Sequence, residues 1–243
     1  MLTKTPELKK SNMKHPKIEF KLSKEQEKET LKFFLRTVIG TGKDDFALLV
    51  RGFPELLDIR KLNNEKQDEL IDSFVEKKYA EINKELEQYR DLAEKGWKKI
   101  EKQVFEEIQK LFGEDLSEEV YTAYLTLFER FRYNRELKFF FVPRKNGLNY
   151  INCVTIHETL HFIFFDYWNK NFKNRLQTNN LWMFSELFNV IVMNKEPFLS
   201  LAGQKSKPYP NHEAHYPKLK ELFDQRSSLK EFFEKVIAYL END

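Results

Sequence analysis

Val154-Thr155-Ile156-His157-Glu158-Thr159-Leu160-His161-Phe162-Ile163 holds the pattern His-Glu-x-x-His in a run that is otherwise uncharged and mostly apolar. The run has the character of a buried helix. Residues four apart lie on one face of a helix, so His157 and His161 can aim both imidazoles at a single metal ion. Glu158 leaves the edge of that face, where its carboxylate can take a proton from a metal-bound water.

Two histidines do not complete a catalytic zinc site, which takes three protein ligands and keeps one position open. The next apolar helical run, Leu181 to Met193, contains one charged residue, Glu186. A bare buried carboxylate is costly, and coordination to a cation removes the cost. Glu186 is therefore the expected third ligand. Asn189, one turn further on, is placed to hold a histidine from behind.

Upstream of the histidine helix the texture changes. Val120 to Phe128 and Leu137 to Val142 are rich in β-branched and aromatic residues, and Pro143 closes the second run. They read as two strands joined through Arg132-Tyr133-Asn134-Arg135. A small sheet beside a metal site can hold an extended peptide by main-chain hydrogen bonds at its edge.

The histidine helix is expected from about Asn149 to Tyr167, with a polar loop from Asn169 to Asn180. Lys207 to His212, with Pro208 and Pro210, reads as a second loop. Two amphipathic helices close the chain, through Leu219 to Phe223 and Leu229 to Leu240. On the N-terminal side, Ser23 to Gln26 forms a capping-box pattern before Leu31, Phe34, Leu35 and Val38, and Gly40 and Gly42 are expected to end that helix. A second apolar segment runs from Phe46 to Leu57 and is broken at Gly52-Phe53-Pro54. Residues 64–112 are helical in pattern almost throughout, with Gly96 as the expected division between two helices.

The expected organisation is a basic flexible tail over 1–22, a helical region over 23–115 and a metal-bearing core over 116–243, continuous with the helical region or separate from it. The fold class is α+β and mostly helical. The 243 residues carry 33% charged and 41% hydrophobic side chains, with 23 Phe and 7 Gly. That balance suits an aromatic-packed globular body. A net charge of +2 gives no reason to expect nucleic acid as a partner. One cysteine, Cys153, excludes an internal disulfide framework and a Cys-rich zinc site. Cys153 lies one turn before His157 and reads as a small core residue. Residues 1–20 contain no signal-type apolar core and no run approaches bilayer length, so a cytoplasmic location and no membrane partner are expected.

His157-Glu158-Thr159-Leu160-His161 followed on a second helix by Glu186 resembles the zincin metallopeptidases, in the gluzincin branch, over roughly residues 120–193. The resemblance implies one Zn2+ on His157, His161 and Glu186, Glu158 as general base, and a peptide or protein substrate. It departs from the metzincins, whose extended motif would need Gly and a third His where this chain has Phe164 and Tyr167. It also lacks the Gly-x-Met-Glu-Asn stretch of the aminopeptidases. Related enzymes use a downstream Tyr or His to stabilise the oxyanion. Here Tyr209, His212, His215 and Tyr216 are grouped together, and His212 with Tyr216 is the expected pair. The competing expectation is a non-catalytic helical interaction module, with zinc absent or closed into a structural site by His212 or His215 as fourth ligand.

Overall fold

A computed structural model of the chain describes residues 14–37, 46–47, 50–128, 132–144 and 147–241. The described elements begin with strand β1 (Lys17–Lys21) and helix α1 (Lys24–Arg36), then α2 (Asn64–Lys98) and α3 (Glu101–Phe112). Strands β2 (Val120–Thr126), β3 (Tyr133–Asn134) and β4 (Phe139–Pro143) come next. The chain ends in α4 (Gly147–Asn171), α5 (Thr178–Met193), the short α6 (Phe198–Ala202), α7 (Tyr216–Asp224) and α8 (Leu229–Glu241). The architecture is α+β and predominantly helical, as its sequence pattern indicates.

The sheet runs in the order β1-β2-β4-β3. β1 and β4 both lie parallel to β2, and β3 pairs antiparallel with β4. Two expectations are corrected here. Lys17–Lys21 is not part of a flexible tail, because Ile18 and Phe20 turn inward and are buried in the main core. Three charged residues in five, Lys17, Glu19 and Lys21, hide that alternation, and Glu19 pairs with both lysines. Nor are residues 132–135 a simple connection between the two aromatic runs, which pair side by side, in parallel, as β2 and β4. The residues between β2 and β4 are long enough to return the chain for a parallel pairing, and Tyr133–Asn134 within them becomes the sheet's edge strand.

The N-terminal helices follow local rules. Ser23 caps α1, its hydroxyl oxygen accepting from the Gln26 N–H at 3.2 Å. The positions of Gly40 and Gly42 lie outside the described residues. Phe53 separates two 3-10 turns, Val50–Gly52 and Pro54–Leu56. Gly96 does not divide the long helix. α2 bends at Ile82 and ends at Lys98, and Gly96 lies inside it, where a Cβ would meet Leu148 Cδ1 at 2.0 Å. Any larger residue there would have to displace the Leu148 side chain, so the glycine lets α4 pack closely on α2.

The main core joins Trp97 and Phe105 from α2 and α3 to β2, β4, α4, α5, α7 and α8. The residues on either side of position 115 therefore share one apolar core. A second, smaller cluster packs α1 against the first half of α2 around Leu31, Phe34, Ile71 and Phe74, with Phe128. Behind the histidine motif, Phe164, Phe184, Phe188 and Phe233 meet ring to ring, with centroids 4.9–5.7 Å apart. Such packing fixes side-chain positions on both helices. The high phenylalanine content thus serves to lock α4, α5 and α8 together. None of the described helices is long and apolar enough to cross a membrane.

Candidate metal centre

α4 and α5 form an antiparallel pair joined by residues 172–177. Their apolar character forces both into the interior, and each carries polar residues on the shared inner face. His157 is half-buried, while His161 and Glu186 are 5% and 7% exposed. His157 Nε2 lies 3.0 Å from His161 Nε2. Glu186 presents one oxygen to each ring, at 3.3 Å from His157 Nε2 and 3.4 Å from His161 Nε2. Zn–N and Zn–O bonds of about 2.0–2.2 Å in a tetrahedron separate ligand atoms by roughly 3.3–3.5 Å. Each imidazole nitrogen thus stands at nearly that spacing from the other and from one Glu186 oxygen, the two contacts using different oxygens of the carboxylate. No fourth His, Cys, Asp or Glu joins this group among the described residues.

The charges favour a cation at this point. Burial pushes the Glu186 carboxyl up, but the neighbouring His161 and hydrogen bonds from both imidazoles outweigh it and hold the group well below the ordinary carboxylate range. Burial likewise pushes His157 down, and Glu186 more than reverses the shift. An anionic carboxylate facing two imidazole nitrogens binds either a proton or a metal ion, and the two compete for the same lone pairs.

Glu158 points along the same side. Burial raises its pKa, with the repulsion of Glu186 adding to the shift and the two histidines opposing it. A carboxylate shifted upwards is a better proton acceptor near neutrality. Asn189 supports the motif through the backbone, its amide donating to the His157 carbonyl at 2.9 Å. It holds the helix rather than the imidazole. His161 Nδ1 is buried with no hydrogen-bond partner.

Of the downstream candidates, His212 is brought to the site's wall. It is 3% exposed, its ring meets Trp182 edge-on at 5.0 Å, and its Nδ1 has no partner. Burial lowers its pKa, and the nearby charge of Glu186 opposes that shift. Trp182 precedes Glu186 by four residues and so shares its helix face. Tyr209 stacks on the outer side of Trp182, centroid to centroid 5.9 Å. Tyr216 is placed elsewhere. It opens α7 and packs on the main core, and no hydrogen bond or ring contact among the described residues joins it to the three ligand residues. His215 faces α8, its Nδ1 3.1 Å from the Tyr239 hydroxyl. Cys153 is buried, with its sulfur 3.8 Å from the Ser206 hydroxyl.

Sequence reading missed Tyr133. It sits on edge strand β3 with its ring 5.6 Å from His161 and 4.8 Å from Phe162. Its hydroxyl is buried and unpartnered, and burial together with the charge of Glu158 raises its pKa, which keeps it a proton-bearing donor. The only local signal was an aromatic residue with a polar tip next to a run of strand character.

No protein-family model matches this chain, and no curated protein or solved structure matches it either.

Proposed function

We propose that the chain is a zinc-dependent metallopeptidase of gluzincin type. The observation that carries this reading is the convergence of His157, His161 and Glu186, whose ligand atoms all lie within 4.8 Å of one another. Three protein donors with no fourth among the described residues match a catalytic rather than a structural zinc site. A zinc ion held by these residues supplies Lewis acidity, polarising a carbonyl and lowering the pKa of water.

The chain's own groups do the rest. Glu158 accepts the proton of the attacking water and hands it to the leaving amine. The Tyr133 hydroxyl, and His212 from the opposite wall, donate hydrogen bonds to the oxygen on which negative charge develops. The outer edge of β3 offers main-chain groups to an extended peptide. The aromatic cluster behind α4 and α5 keeps the carboxylate and both rings in place while substrate comes and goes.

Zinc-loaded protein incubated with mixed peptide libraries is expected to produce new termini detectable by mass spectrometry. Dialysis against a chelator should stop cleavage, and one equivalent of zinc should restore it. Intact libraries after prolonged incubation with the loaded protein would rule this reading out in favour of a non-catalytic module.

A further inference from the structure

We infer that Arg135 forms a carboxylate-binding subsite beside the ligand triad, which selects substrates bearing a free C-terminus or an acidic side chain within a few residues of the scissile bond. The inference rests on the metallopeptidase reading and adds its substrate class.

Arg135 opens the turn between β3 and β4 and is exposed. Its guanidinium lies over the Phe165 ring, 4.9 Å from the centroid. Phe165 follows His161 by four residues on the same face of α4, and its ring stacks towards His161 at 6.3 Å. The cation is therefore tied to the metal cluster through one intervening ring. Through that ring the guanidinium lies within about 11 Å of the His161 ring, roughly three extended peptide residues at most, so the carboxylate it holds lies within about three residues of a carbonyl at the ligand triad.

Lys138 in the same turn pairs with Glu119 at 3.3 Å and Asp166 at 3.0 Å. Arg135 makes no ion pair among the described residues. The Phe165 ring anchors the guanidinium, and the N–H edge of a guanidinium matches both oxygens of a carboxylate. Trp182, 44% exposed and sharing a face with Glu186, lies towards the same end of the antiparallel pair and offers apolar surface to the side chain of the bound residue.

The test uses three versions of one short peptide, with a free C-terminus, with an amide, and with an amide after a C-terminal aspartate. Binding is measured by calorimetry on zinc-loaded Glu158→Gln, alone and combined with Arg135→Gln or Arg135→Lys, and cleavage is followed with the unsubstituted protein. The free acid is expected to bind about tenfold or more tightly than the plain amide, as for other charge-assisted hydrogen bonds. Arg135→Gln should erase the difference and Arg135→Lys should keep part of it. Recovery of affinity by the aspartate amide identifies a side-chain carboxylate as a source, and its failure to recover restricts the subsite to chain termini. Equal affinity of all three peptides, or a preference that survives Arg135→Gln, overturns the inference. Cleavage without any carboxylate preference removes the subsite and leaves the peptidase reading standing. Carboxylate-dependent binding with no cleavage of any peptide removes the peptidase reading and leaves the subsite.

Discussion

Glu158→Gln is expected to lower kcat for peptide hydrolysis by about 10²–10⁴-fold, the usual contribution of a general base, while zinc stays bound. The amide keeps the size and approximate polarity of the carboxylate but cannot accept the proton. Glu158 is not one of the three converging ligand residues, so the metal affinity should be nearly unchanged. KM should also change little, because the lost interaction belongs to the transition state. Parallel measurement of kcat, KM and zinc content on the variant checks all three parts. A variant that retains full activity would assign the proton transfer to another group.

The second large effect lies away from the site, at Glu27. This residue of α1 is 1% exposed, and its carboxyl accepts from the Thr126 hydroxyl at 2.9 Å and from the Leu127 N–H at 2.8 Å. It ties α1 to the end of β2, where the chain departs towards Tyr133. Burial outweighs both hydrogen bonds and raises its pKa from 4.5 to about 8. The folded protein therefore holds this proton over a range in which the unfolded chain has lost it. Stability from this group is full below about pH 4.5 and falls as pH rises, levelling off above about pH 8. At 1.36 kcal/mol per pKa unit, the loss is about 3 kcal/mol at pH 7 and about 5 kcal/mol above pH 8.

Glu27→Gln carries a neutral side chain at every pH, with an oxygen for the Leu127 N–H. Its urea unfolding free energy should match the unsubstituted protein's near pH 5 and exceed it by several kcal/mol at pH 9. An equal decline in both proteins would show that Glu27 does not hold its proton in the fold.

The centre of the site was legible because its signals are local. The i, i+4 spacing of His157 and His161 fixes their common face, and Glu186 stands out as the single charge in an apolar helix. The structure brings those three residues together. The remaining features depend on pairings distant in sequence. β1 aligns with β2 across about a hundred residues, and its two inward side chains alternate with three charged ones. The parallel order of β2 and β4 carries no local mark, so the two runs read only as strands joined through residues 132–135. Tyr133 acquires its importance from the edge position that this order gives it. Glu27 sits in a charged amphipathic stretch in which a buried glutamate looks like every solvated one. Tyr216 and His212 shared one polar segment, and the start of α7 sends them to different surroundings.

The most direct measurement is metal content by mass spectrometry on purified protein after zinc loading and desalting, beside His157→Ala and Glu186→Ala. Close to one zinc per chain is expected, falling far below that in both variants, with circular dichroism showing that each remains folded. No bound zinc in the unsubstituted protein, or stoichiometric zinc surviving both substitutions, would contradict the three-residue centre on which the proposed activity depends.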